Sequence, residues 1–203
     1  TLDRKGSTET GVSYRVYRSE DPAQEGEIVA TPGTHAWTDT DEPISGCWFY
    51  HVEAVDGAGN RELAVSVYET IVDNPDAVFS GTWTLGTSST DKWGENYRYI
   101  ATGGTGASTA AWSFPVRERG LYQVSVYYPQ GTNRSTEARF TIQHAGGTTL
   151  VPVDQSINGG QWVTLQTRWL EPDGSYPVVL DDAEPGGKVV IADAVRWLKE
   201  TDL

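Results

Sequence analysis

GLYQVSVYYP, residues 120–129, carries two alternating series of side chains. Tyr122, Val124, Val126 and Tyr128 form one series, and Leu121, Gln123, Ser125 and Tyr127 form the other. A period of two marks an extended strand with one face in a core and the other toward water. Gly120 and Pro129 bound the run, as turn residues bound strands. The series holding the two valines is read as the inward one, which makes Tyr122 a core residue.

Similar runs flank it on the C-terminal side. EARFTIQHAGG (137–147), TTLVPVDQ (148–155), QWVTLQTRWL (161–170), YPVVLDD (176–182) and KVVIADAVRWL (188–198) read as strands. QHAGGT, INGGQ and EPDGS supply the turns between them. About eight strands over roughly 130 residues fit a jelly-roll-like β-sandwich. On the N-terminal side VSYRVYRS (12–19), FYHVEAVD (49–56) and LAVSVYET (63–70) alternate in the same way, and HAWTDTD (35–41) reads as a short strand entering a loop. With 22 Gly and 10 Pro in 203 residues, no long amphipathic helix survives, and the chain is read as all-β.

Composition narrows the function. The formal net charge is -13, and residues 1–70 alone hold 13 acidic against 5 basic side chains. Such a surface repels phosphate backbones and anionic membranes, and no Lys/Arg stripe offsets it. No apolar run approaches the roughly 20 residues of a membrane helix. His35, His51 and His144 form no HxH or HxxxH pair, and there is one cysteine, Cys47, so a zinc site is not expected. Cys47 lies in CWFYHVEAV and is read as a buried structural thiol. No GxSxG turn offers a nucleophile. These absences point away from catalysis.

Residues 11–70, through YRVYRSEDP, WTDTD and GCWFYHVEAVDGAGNREL, resemble the second half of a bacterial fibronectin type III domain, an immunoglobulin-like sandwich. Such a domain has two further strands before the YRVYR strand, whereas here only TLDRKGSTETG precedes it. The resemblance thus implies a first domain, 1–70, lacking its first strands. Its exposed faces would be covered by an upstream part of the same precursor, by a second copy, or by the second domain. Residues 71–203 resemble the golvesin and xanthan-lyase C-terminal domain, through VDNPDAVFSGTW, GLYQVSVYYP, ARFTIQHAGG, VPVDQSINGGQWVTL and VVIADAVRWL. That resemblance implies a carbohydrate-binding-like sandwich appended to secreted bacterial proteins, holding polysaccharide and catalysing nothing.

The aromatic residues can then be sorted. Trp112, Phe114 and Trp197 are expected in the core, and Trp83 fits either core or cleft. Trp93, Tyr97 and Tyr99 sit among Asp91, Lys92, Glu95, Asn96 and Arg98, without the apolar neighbours of a strand face. They are the candidate stacking floor for a sugar ring. Tyr128, Gln130, Asn133 and Arg134 on one loop, with Gln155 and Trp162 on another, are candidates to flank it. The competing reading is that these loops only satisfy their own turns, as Asn and Asp commonly do. No cofactor is expected. Calcium, through Asp181, Asp182 and Glu184 or through DNPD (73–76), is the alternative for the acidic clusters. Asp193, alone between alanines, is expected to cap or brace backbone N–H groups rather than bind metal. Beside the polysaccharide-binding module stand two other functions: an assembly module docking a partner strand, and the tail of a secreted hydrolase or lyase with its active site upstream.

Overall fold

Alternation at 120–127 becomes a strand because a period of two lets every second side chain leave water together. The computed structural model describes residues 2–3, 12–20, 26–34, 36–40, 46–57, 59, 61–172 and 174–199. Among them there is no α-helix, and one 3₁₀ turn spans Asn74–Asp76. The first six strands are β1 (Leu2–Asp3), β2 (Ser13–Ser19), β3 (Glu27–Ala30), β4 (Ala36–Trp37), β5 (Gly46–Val55) and β6 (Arg61–Val72). Next come β7 (Val78–Ser80), β8 (Thr84–Gly86), β9 (Tyr97–Ala101), β10 (Thr109–Trp112), β11 (Gly120–Tyr127) and β12 (Ala138–His144). The last are β13 (Gly147–Val153), β14 (Val163–Leu170), β15 (Val178–Asp181), β16 (Val189–Ala192) and β17 (Ala194–Lys199). The protein is all-β, a β-sandwich.

Two sheets form its walls. One has the order β14-β11-β17-β6-β5-β2-β3, the other β13-β12-β15-β10-β7. Antiparallel register aligns the apolar residues into rows. Trp197 stands opposite Val124, and Val195 lies between Val126 and Val72. In the facing sheet Leu180 lies between Ala110 and Phe140, and Val178 between Trp112 and Ile142. All these side chains join one buried cluster. Each fully buried Val, Leu, Ile or Phe contributes about 1.5–3 kcal/mol, so these rows dominate the stability of the sandwich. Tyr122, Trp112, Phe114 and Trp197 lie in this core, as the alternation implies.

The 12-residue strand β6 joins the two parts of the chain. Along its length it pairs with β5, and through Glu69–Val72 with β17. The N-terminal strands β2, β3 and β5 therefore continue the same sheet rather than standing apart from it. Phe49 and Tyr68 enter the main core, where Tyr68 meets the edge of Tyr122 at 5.8 Å. Tyr50, the next residue along from Phe49, faces the other way. There it joins Val16, with Trp37, Trp48 and Leu198 packed alongside. The first 11 residues apart from β1, and the Cys47 side chain, lie outside what is described.

Two sequence readings are corrected here. KVVIADAVRWL is not one strand. It breaks at Asp193 into β16, which pairs with β9 in a three-stranded sheet, and β17, in the seven-stranded sheet. Tyr97 and Tyr99 do belong to a strand, β9, held between β8 and β16.

Candidate functional site

At one end of the sandwich three connections meet: the segment from β8 to β9, the loop after β11, and the loop from β13 to β14. Their aromatic residues gather where β11 ends. Tyr127 falls in the outward series of β11, so its ring leaves the sheet away from the core. Trp162, just before β14, stands 5.4 Å from it, and Trp93 is 5.2 Å from Tyr127 and 4.9 Å from Trp162. All three rings are half-buried. The Arg196 guanidinium lies 4.7 Å from the Trp162 ring centre and pairs with Glu69 at 3.3 Å, so it fixes one ring from the sheet side.

The loops around these rings are rigidly tied. The buried Tyr128 hydroxyl donates to the carbonyls of Asp154 and Ile157, at 3.2 and 3.1 Å. Burial pushes its pKa up to about 12, so it stays a donor. The backbone N–H of Gln130 donates to Asp91 Oδ2 at 3.0 Å, and its Oε1 accepts from the N–H of Gly159. A side chain at 159 would strike Gln130 N at 2.4 Å and Tyr128 O at 2.7 Å, so only glycine lets these loops touch. Asn158, in the left-handed region with φ 57°, is the one such non-glycine residue among the described ones. Ile157, 52% exposed, adds apolar surface to the same loop.

Of the ten residues singled out in the sequence, Trp93 and Trp162 come together, with Gln130 beside them through Asp91. A second group lies apart on β9. Tyr97 and Tyr99 have ring centres 6.2 Å apart, and Arg134 lies 5.9 Å over Tyr97 while donating to Asn133 Oδ1. Tyr97 is 4% exposed, with its hydroxyl bonded to Ser89 and its ring packed on Gly86. Four candidates are corrected by burial, because a side chain sealed in the core offers no face to a ligand: Trp83, Tyr97, Tyr128 and Gln155. Trp83 packs on Phe79 and donates to Ser80 O. Gln155 bonds both N–H and C=O of Ile191, at 2.8 Å each. Sequence reasoning missed Tyr127 and Arg196. The signal for Tyr127 was its place in the outward series beside Gln123 and Ser125.

The acidic residues near β15 have protein partners. Asp181 pairs with Arg139 at 3.1 Å, Asp182 Oδ1 accepts from Gly106 N–H, and Glu184 accepts from the Ser135 hydroxyl.

Residues 70–199 match the model of the Golvesin C-terminal domain. The chain belongs to that family. It is 34% identical over 134 residues to xanthan lyase of Bacillus sp. (strain GL1), covering 63% of this chain and 14% of that protein. It is 31% identical over 134 residues to golvesin of Dictyostelium discoideum, covering 63% of this chain and 23% of that one. The chain thus spans less than a quarter of the length of either relative. The solved structure of a Paenibacillus xanthan lyase superposes with a TM-score of 0.62 at 24% identity, over 96% of this chain and 20% of that one, and shares its fold.

Beneath the rings, the golvesin domain holds a buried polar cluster. Asp193, at the break between β16 and β17, accepts the Trp93 N–H at Oδ2, 3.0 Å away, and its backbone carbonyl accepts Trp112 Nε1–H. The brace expected of it is present. Burial pushes its pKa up to about 9, with the nearby Asp73 charge adding to the effect. Asp73 caps the 3₁₀ turn by accepting Asn74 N–H at 2.7 Å, and burial raises it to about 6. The same burial, with Asp193 and Asp91 near, raises Tyr127.

Proposed function

We propose that the golvesin domain is a non-catalytic polysaccharide-binding module whose floor is formed by Trp93, Tyr127 and Trp162. The observation that carries this reading is the trio itself: three half-buried rings within 5.4 Å of one another, one at the end of β11 and two on the connections beside it. Sugar rings present C–H faces that pack on aromatic faces. A binding surface of this kind needs mostly apolar area with a few convergent polar groups. Gln130 and Asn158, both exposed, stand on the adjoining loops to meet hydroxyls. One relative is named for a lyase of xanthan, a fact about that protein that favours a polysaccharide here.

In this reading the module belongs to a larger secreted bacterial protein and raises the concentration of its catalytic part at the glycan. Residues 1–70, read as fibronectin-like, serve as a spacer joined to the module by β6. The test is a glycan array probed with the 203-residue chain and with a Trp93→Ala/Trp162→Ala double variant. Binding to at least one polysaccharide, abolished in the variant while its melting curve keeps its shape, is the expected result. A wild-type chain that binds none, or a variant that binds equally well, overturns the proposal.

A further inference from the structure

We propose that Asp73, Asn74 and Asp193 form a binding site for a hard divalent cation of the calcium type. Two side-chain oxygens on these residues are buried and bonded to nothing: Asn74 Oδ1 and Asp193 Oδ1. Asn74 is 0% exposed and Asp193 2%. Buried polar atoms in folded proteins nearly always find a partner, and these two oxygens, on residues the strand register brings next to each other, are open to a ligand.

The fold brings them together in three ways. β6 and β17 run antiparallel with Val72 opposite Val195, so the chains leaving them carry Asn74 and Asp193 out side by side. One short loop, 93–96, then covers both: Trp93 N–H donates to Asp193 Oδ2, and Asn74 Nδ2 donates to Asn96 O at 2.7 Å. Finally, Asn74 Nδ2 also donates to Asp73 Oδ1 at 3.2 Å. With both acceptors fixed, the amide cannot be turned round, and its oxygen is left pointing away from them.

The donor set decides the class of ion. It offers two carboxyl groups and an amide oxygen, with no imidazole or thiolate, which suits Ca²⁺ or Mg²⁺ and not zinc. Among the described residues no group of three or more His, Cys, Asp and Glu is placed to hold a metal. Here the third ligand is the Asn74 amide, and water completes the shell, as it commonly does around these ions. Calcium accepts such an irregular set more readily than magnesium, which demands near-octahedral geometry. The Lys92 ammonium, whose charge reaches Asp193, is engaged with Ser89 O.

This site is independent of the glycan reading, although it would fasten the backbone of Trp93. Its test uses the full chain, stripped with a chelator and titrated with CaCl₂ or MgCl₂ alone. Calcium at a hundred-fold excess over its dissociation constant should raise the melting midpoint by about 5 °C. Asp193→Asn and Asn74→Ala should each reduce that rise at the same concentration. Calorimetric titration of the unmutated chain at 25 °C should show one site, so the proposal does not depend on either variant folding. No heat of binding and no shift in the unmutated chain, or a full shift in both variants, overturns it. Glycan binding has no part in either readout.

Discussion

Tyr127 and Tyr128 are neighbours in sequence and opposites in the molecule. Tyr128 is sealed, with its hydroxyl pinning two carbonyls of the loop at 154–157. Tyr127, the last residue of β11, turns the other way and stands half-open against Trp93 and Trp162. The contrast holds where β14, β11 and β17 line the main core; over β2 and β5 the outer face buries Tyr50 and Val16 in a smaller cluster with Trp37 and Trp48. Along those first three strands the inner face spends Tyr122, Val124 and Trp197 on the core, and the outer face gathers rings at one end. Residue type alone does not separate the two populations; strand parity does. Along β11 an aromatic residue is structural or available according to which side of the pleat it occupies.

That contrast can be broken by substitution, beginning in the core. Trp197→Ala should destabilise the fold by about 3–5 kcal/mol, since it empties the centre of the cluster. Urea denaturation measures this, and a loss below about 1 kcal/mol would mean the inner face is not what holds the sandwich. Gln155→Ala removes a side chain that satisfies both N–H and C=O of Ile191, and should cost about 2–4 kcal/mol by the same assay. Tyr128→Phe deletes one hydroxyl from under the loop and should cost about 1–2 kcal/mol. Faster amide exchange confined to residues 154–160 would be its signature. Trp162→Ala, on the outer face, should cost only about 1 kcal/mol, because its ring is already half in water. If its cost matched that of Trp197→Ala, the outer rings would be a second core.

Much of the fold was legible because burial imposes a period of two. β11, β12 and β14 stand close to where alternation puts them, and Trp112, Phe114 and Trp197 are buried as read. What alternation cannot show is a change of sheet within an unbroken apolar run. VVIADAVRW has no turn residue, yet the chain crosses from β16 to β17 at Asp193, whose carboxyl holds the loop at Trp93, 100 residues away. The pairing of β6 with β17 is equally long-range and leaves no local mark. Trp93 was singled out through its polar surroundings and Trp162 through its place on a neighbouring loop, and their rings do stand together. The first criterion misplaced Tyr97, whose polar neighbours Ser89 and Arg134 line its own pocket.

The central claim is that the outer rings meet a glycan while the inner ones do not, and the eight tryptophans allow both halves to be read at once. The measurement is a nitrogen–proton correlation spectrum of the indole N–H signals, assigned by single Trp→Phe variants and followed while a soluble polysaccharide from the array is added. The signals of Trp93 and Trp162 should move together with one saturation curve, and those of Trp112 and Trp197 should stay within the linewidth. Movement confined to the buried indoles, or saturable binding with Trp93 and Trp162 unmoved, would contradict the account.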